Sequence, residues 1–126
     1  MCLAIEYGTA LSETINKIKK DHEKLKKLVS ECDIKVNQIY HDIEINNLNA
    51  ANGFKKYKEL QKALRERRVV KHEYASLTHL LRTFDVNKVE GQIHKTMENT
   101  KKSEDSNQLY RCGWNISIEG IVGLTS

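Results

Sequence analysis

From Leu11 onward, apolar side chains return in alternating steps of four and three: Leu11, Ile15, Ile18, His22, Leu25, Val29, Cys32, Val36, Ile39 and Ile43. A repeat of about 3.5 residues places these positions on one seam of a helix, the pattern that packs against a partner helix. Only His22 interrupts the stripe. Ser12 is positioned to cap the helix by accepting from a free backbone N–H of its first turn. At 1.5 Å per residue the helix spans roughly 50 Å. The run Glu44-Ile45-Asn46-Asn47-Leu48-Asn49 then breaks the period with residues that favour turns, which predicts a helix-helix corner.

A second stripe follows: Phe54, Tyr57, Leu60, Leu64, Val70, Tyr74, Leu77, Leu81 and Phe84. Its opposite face carries Lys55, Lys56, Lys58, Glu59, Lys62, Arg65, Glu66 and Glu73, ordinary solvated dressing for an amphipathic helix. The two stripes predict a long antiparallel helical hairpin over about 11–84. Beyond Phe84 the pattern changes. The polar run Glu98–Asn107 has no apolar face and reads as a loop. The stretch Leu109–Ile118 alternates aromatic and β-branched residues in the manner of short strands, with Gly113 at a turn or bulge. The expected fold is therefore mainly α (α+β): a single domain over 1–126, with the hairpin at about 11–84 and a C-terminal loop and small β element at about 85–126. A hairpin this thin cannot bury both seams within one chain, so a homo-oligomer, from dimer to hexamer, is expected.

Composition narrows the class. The chain has 126 residues, 39% hydrophobic and 30% charged, enough for one core and no more. No stretch approaches the roughly 20 apolar residues that span a bilayer, and the opening Met1–Glu6 lacks the basic flank of a secretory signal. Cys2, Cys32 and Cys112 are odd in number and far apart, which offers neither a disulfide framework nor a CxxC site and suits the reducing cytoplasm. Proline is absent, as long uninterrupted helices require. The net charge of +4 is spread among acidic residues along both helices, so a continuous phosphate-tracking stripe, and hence nucleic-acid binding, is not expected.

No catalytic constellation emerges. GxSxG, GxxxxGK[ST] and GxGxxG motifs are missing, and no sequence signal shows a nucleophile being activated. His41 and Glu44 share a face but in the reverse order to a di-iron motif, and His72 and His79 lie roughly 10 Å apart by helical rise, too far to grip one ion. Neither a metal nor a cofactor is expected. His22 within the seam reads as a residue that sets register. In Arg65-Glu66-Arg67-Arg68-Val69-Val70-Lys71, helical spacing turns Arg67 or Arg68 toward the packed side, where it needs either a carboxylate such as Glu44 or an anion from solvent. Phe84, Tyr110, Arg111 and Trp114 combine aromatic faces with a guanidinium. That set suits a nucleotide, and it suits a small core equally.

The blocks His41-Asp42-Ile43-Glu44, Asn47–Tyr57 and Arg65–Glu73 resemble small proteins of phages that infect Gram-positive bacteria, the anti-Thoeris signal-sponge family. The resemblance covers roughly the middle third of the chain. It implies a homo-oligomer, hexameric in known members, that sequesters the cyclic ADP-ribose isomer made from NAD by a TIR-domain defence enzyme in the infected cell, without degrading it. Some members also hold cyclic trinucleotides in separate pockets between subunits. Family pockets stack an aromatic ring on adenine and place arginine on the phosphates, which the resemblance assigns to Phe84 and Arg111, with Asn115 and Arg82 added by proximity. The alternative is a structural or interaction protein that assembles through its hairpin.

Overall fold

A computed structural model describes residues 2–122. The chain is helical nearly throughout: α1 spans Leu3–Ile45, α2 Ala50–Thr83, α3 Val86–Tyr110, and a short α4 Ile118–Val122. α1 is the spine. Both α2 and α3 pack along it and run antiparallel to it. The pairs Lys56–Asp42, Arg67–Asp33, His22–Thr78 and Lys19–Glu90 track that direction. The molecule is therefore a long hairpin whose second arm is interrupted once, at Phe84 and Asp85.

Each boundary has a local cause. At the corner, the Asn46 N–H and its side-chain amide both donate to the Asp42 carbonyl, closing α1. Asn49 Oδ1 accepts from the Asn52 N–H at 2.8 Å and starts α2. Phe84 (φ −106°, ψ 124°) leaves helical space, and Asp85 restarts the helix by accepting from the Lys88 N–H at 3.2 Å. The predicted corner and hairpin are observed in this form.

Two features of the first helix differ from expectation. It begins at Leu3, so Ser12 lies inside α1 and caps nothing. The seam in fact continues upstream through the half-buried Gly8, a residue that an apolar pattern does not register. Gly8 has a packing reason: a Cβ there would meet Met97 Sδ at 2.8 Å, so the bare backbone makes room for that side chain where α3 crosses α1.

The C-terminal third is corrected more substantially. Residues 98–107, expected as a loop, lie within α3, and no strand occurs among the described residues. Val86, Val89, Ile93, Met97, Thr100 and Glu104 form a half-buried helical row, with Asp85 as its N-cap. The polar residues between them are its solvated face. The expected β element at 109–118 is instead the end of α3, a turn at Arg111–Gly113 and irregular chain to Ser117. Gly113 adopts φ 86°, a left-handed conformation that turns the chain out of the helix. Among the described residues no neighbouring strand pairs with Trp114–Ile118, and an unpaired strand has no stability of its own.

The core is thin. Among the described residues only Ile15, Val36, Ile39 and Ala63 are buried, with Leu60 and Leu64 packed against three of them. The remaining seam residues, from Ile18 to Cys32 and from Val70 to Leu81, are half-covered. Accessible surface totals 10270 Å², whereas a compact 14.6 kDa monomer exposes about 6,900 Å².

Polar residues inside the seam are matched. Thr78 donates its hydroxyl to the Tyr74 carbonyl, so its oxygen accepts from His22 Nε2 at 2.9 Å, and the imidazole stacks on Tyr74. His22 thus pairs with α2 inside the seam. Arg67 donates from Nε to Asp33 at 2.7 Å, with Lys71 at 3.4 Å from the same carboxylate. The buried-side arginine is therefore Arg67, and its partner is Asp33, not Glu44.

These pairs predict a pH dependence. The Arg67 hydrogen bond, ahead of Lys71, holds the Asp33 carboxyl below its usual value near 3.8, while Asp42 and then Glu59 raise the Lys56 ammonium above 10.5. A lowered acid stabilises the fold above its unfolded pKa and loses that contribution as pH falls through the folded value. A raised lysine contributes below its unfolded pKa, and the contribution disappears as pH rises through the folded one. Urea midpoints should decline below about pH 4 and above about pH 10.5, both pairs being half exposed and the changes small. In Asp33→Asn the acid decline should flatten; an unchanged acid limb would contradict the assignment.

Candidate functional site

At the far end of α3 the chain builds a cleft of about 610 Å³. Its walls are the start of α1 (Cys2, Leu3, Ala4), the last turns of α3 (Glu104, Gln108, Arg111) and the returning tail from Trp114 to Ile121. Arg111 caps α3 by donating its N–H to the Asn107 carbonyl, and the Trp114 N–H returns to the Arg111 carbonyl at 2.9 Å. That turn brings the indole to the guanidinium's side of the cleft. Tyr110 holds the indole edge-on, with ring centroids 5.8 Å apart. Trp114 offers a face for stacking, Arg111 a cation, and Gln108 and Glu104 groups that hydroxyls can bond.

The four residues assigned by resemblance fall into two groups. Arg82 and Phe84 lie at the α2/α3 break, with Arg82 exposed in the last turn of α2. Arg111 and Asn115 lie beyond α3, whose 25 residues span about 37 Å. Arg111 lines the cleft, whereas Asn115 is exposed beside it. Within one chain, Phe84 and Arg111 do not share a pocket.

Phe84 has a different environment. It borders a cavity of about 260 Å³ formed with Leu11, Ile15, Ile18, Leu80, Leu81, Val86 and Val89. Thr14 also lines it, but its hydroxyl is engaged by the Ala10 carbonyl. This site is apolar and suits an inserted side chain more than a phosphate. The aromatic partner of Arg111 in the same chain is Trp114, which the sequence already showed three residues away; a helix turn at Gly113, in place of a strand, is what brings the two together.

Further exposed apolar residues gather at the hairpin corner: Tyr40, Ile43, Ile45, Leu48, Phe54 and Tyr57. Cys2, Cys32 and Cys112 are free thiols. Among the described residues, no three His, Cys, Asp or Glu side chains converge as a metal site, and no helix is long and apolar enough to cross a membrane. Comparison with family models, curated proteins and solved structures gave no match.

Proposed function

We propose that this protein is a non-enzymatic binding protein that works as an assembly of identical chains. The observation that supports this most is the unsealed seam. About 3,400 Å² more surface is exposed than a compact chain of this mass would show. A specific interface takes about 800 Å² from each partner, so the excess suffices for more than one. The occupant is a second copy, because the corner patch and the Phe84 cavity are complementary features of one chain: aromatic side chains at one, an apolar recess at the other.

The ligand reading is a cyclic ADP-ribose-type nucleotide, held and not degraded, in the infected bacterial cell. It is favoured by the Arg111–Trp114 cleft, whose volume suits a nucleotide and whose groups match a base, phosphates and ribose hydroxyls. The resemblance of the middle of the chain to the sponge family supports the same ligand class. A purely structural protein built on the hairpin is the competing reading, and it leaves the cleft without a use.

Native mass spectrometry of the protein with cyclic ADP-ribose reads assembly and ligand together. The bound ligand should be recovered unchanged after heating, and no bound mass at micromolar ligand would sink the nucleotide reading. Arg111→Ala removes a charge-assisted hydrogen bond and should weaken capture about 10- to 100-fold at unchanged assembly mass. If Trp114→Ala weakens it too while Phe84→Ala does not, the pocket lies within one chain. Loss in both Arg111→Ala and Phe84→Ala would place it between two.

A further inference from the structure

The acidic residues of α2 are Glu59, Glu66 and Glu73, seven apart, and so form one row. Its middle member faces α1, with Glu66 3.7 Å from Lys35, while Glu59 pairs within α2 with Lys56 at 3.3 Å, the same ammonium that reaches Asp42 of α1 at 3.2 Å. The face directed away from α1 carries Lys58, Lys62, Arg65 and Arg68, then His72 and His79, all exposed and without an acid among them. Charge that looks mixed along the chain is thus sorted by face. Lys62 alone leans toward the row, 3.9 Å from Glu66. From Lys58 to Arg68 the cations climb about 15 Å along a straight helix. Arg65 and Arg68 also border a shallow groove of about 450 Å³ shared with Leu64, Arg67 and Lys71.

We propose that the outer face of α2 binds the phosphate backbone of a nucleic-acid duplex without regard to sequence. A row of separated cations on a rigid rod matches a repeating polyanion better than a single small anion. Insertion into an anionic membrane needs an apolar stripe among the cations, and between Lys58 and Arg68 this face has none. Single-stranded nucleic acid is bound through successive stacking rings; here exposed rings occur at the Lys58 end, where the ammonium lies 5.7 Å from the Phe54 centroid, and none accompanies Lys62, Arg65 or Arg68. The surface is separate from the Arg111 cleft, so it stands or falls independently of the nucleotide reading.

Fluorescence polarisation of the full chain with a labelled 20-base-pair DNA duplex of mixed sequence tests this. Four phosphate contacts give a slope of log K against log salt near −3.6, or roughly a 100-fold loss of affinity between 50 and 200 mM salt. Arg65→Glu with Arg68→Glu should reduce the slope by about two and weaken binding at least tenfold, with helix content unchanged by circular dichroism. Lys17→Glu with Lys24→Glu, on the mixed-charge face of α1, should leave affinity within about threefold. No duplex binding at 50 mM salt, an unchanged slope in the arginine variant, or equal weakening by the α1 variant overturns the proposal. Binding to phosphatidylserine vesicles but not to duplex would overturn it as well.

Discussion

Ile39→Ala is expected to destabilise the fold by about 2–5 kcal/mol, a large share of the roughly 5–15 kcal/mol that holds a domain together. Ile39 is 2% exposed and sits against Val36 and Ala63, with Leu60 and Leu64 alongside. Removing three carbons there leaves a void that two rigid helices cannot close. The loss is concentrated because the core is so small: no other cluster of buried side chains compensates among the described residues. Thermal unfolding followed by circular dichroism should show a midpoint lowered by at least about 8 °C. Val69→Ala, on a residue 63% exposed, should change stability by no more than about 0.5 kcal/mol. Equal losses in the two variants would show that the seam is not the core.

Replacing Phe54 and Tyr57 together by glutamate should dissociate the proposed assembly while leaving the hairpin helical. Both rings are more than half exposed in the single chain and lie in the apolar cluster at the corner. Exposed aromatic anchors of this kind often contribute about 2 kcal/mol each to an interface. Losing two weakens association roughly 1,000-fold, enough to turn a micromolar complex into free chains at ordinary concentrations. Size-exclusion chromatography with light scattering would read the change as a fall to the 14.6 kDa chain mass. An assembly that kept its mass in this variant would have its interface elsewhere on the hairpin.

Much of the hairpin was legible in the sequence because periodicity is a direct imprint of one-sided burial. The stripe from Leu11 to Ile43 and the break at Glu44–Asn49 correspond to α1 and its corner, and the residue His22 that interrupts the stripe is paired inside it. What escaped was carried by small or polar residues. Gly8 extends the seam without adding hydrophobicity, because its role is to leave room for the Met97 side chain of α3. In α3, Thr100 and Glu104 continue a row begun by Val86 and Met97, and polar residues at seam positions disguise a helix as a loop. Trp114, Ile116 and Ile118 suggested strands because alternation records only that side chains point in opposite directions. Whether a ladder partner exists is a property of the whole fold.

The candidate site was less legible, for a geometric reason. Phe84 and Arg111 are 27 positions apart, and reading the intervening chain as a loop allowed them to meet. Once that chain is a helix, they are held at its two ends. Arg111 kept a neighbour in Trp114 because a turn closes within four residues. Likewise, the partner of Arg67 could not be read locally, since Asp33 reaches it only through the register of α1 against α2.

One hairpin leaves much of its apolar seam uncovered, which we propose a second copy covers. Sedimentation velocity of the unmodified protein between about 1 and 100 µM tests it most directly. The expected result is a species at an integral multiple of 14.6 kDa that persists, or grows, as concentration rises. A single well-folded helical species of 14.6 kDa across that whole range would contradict it.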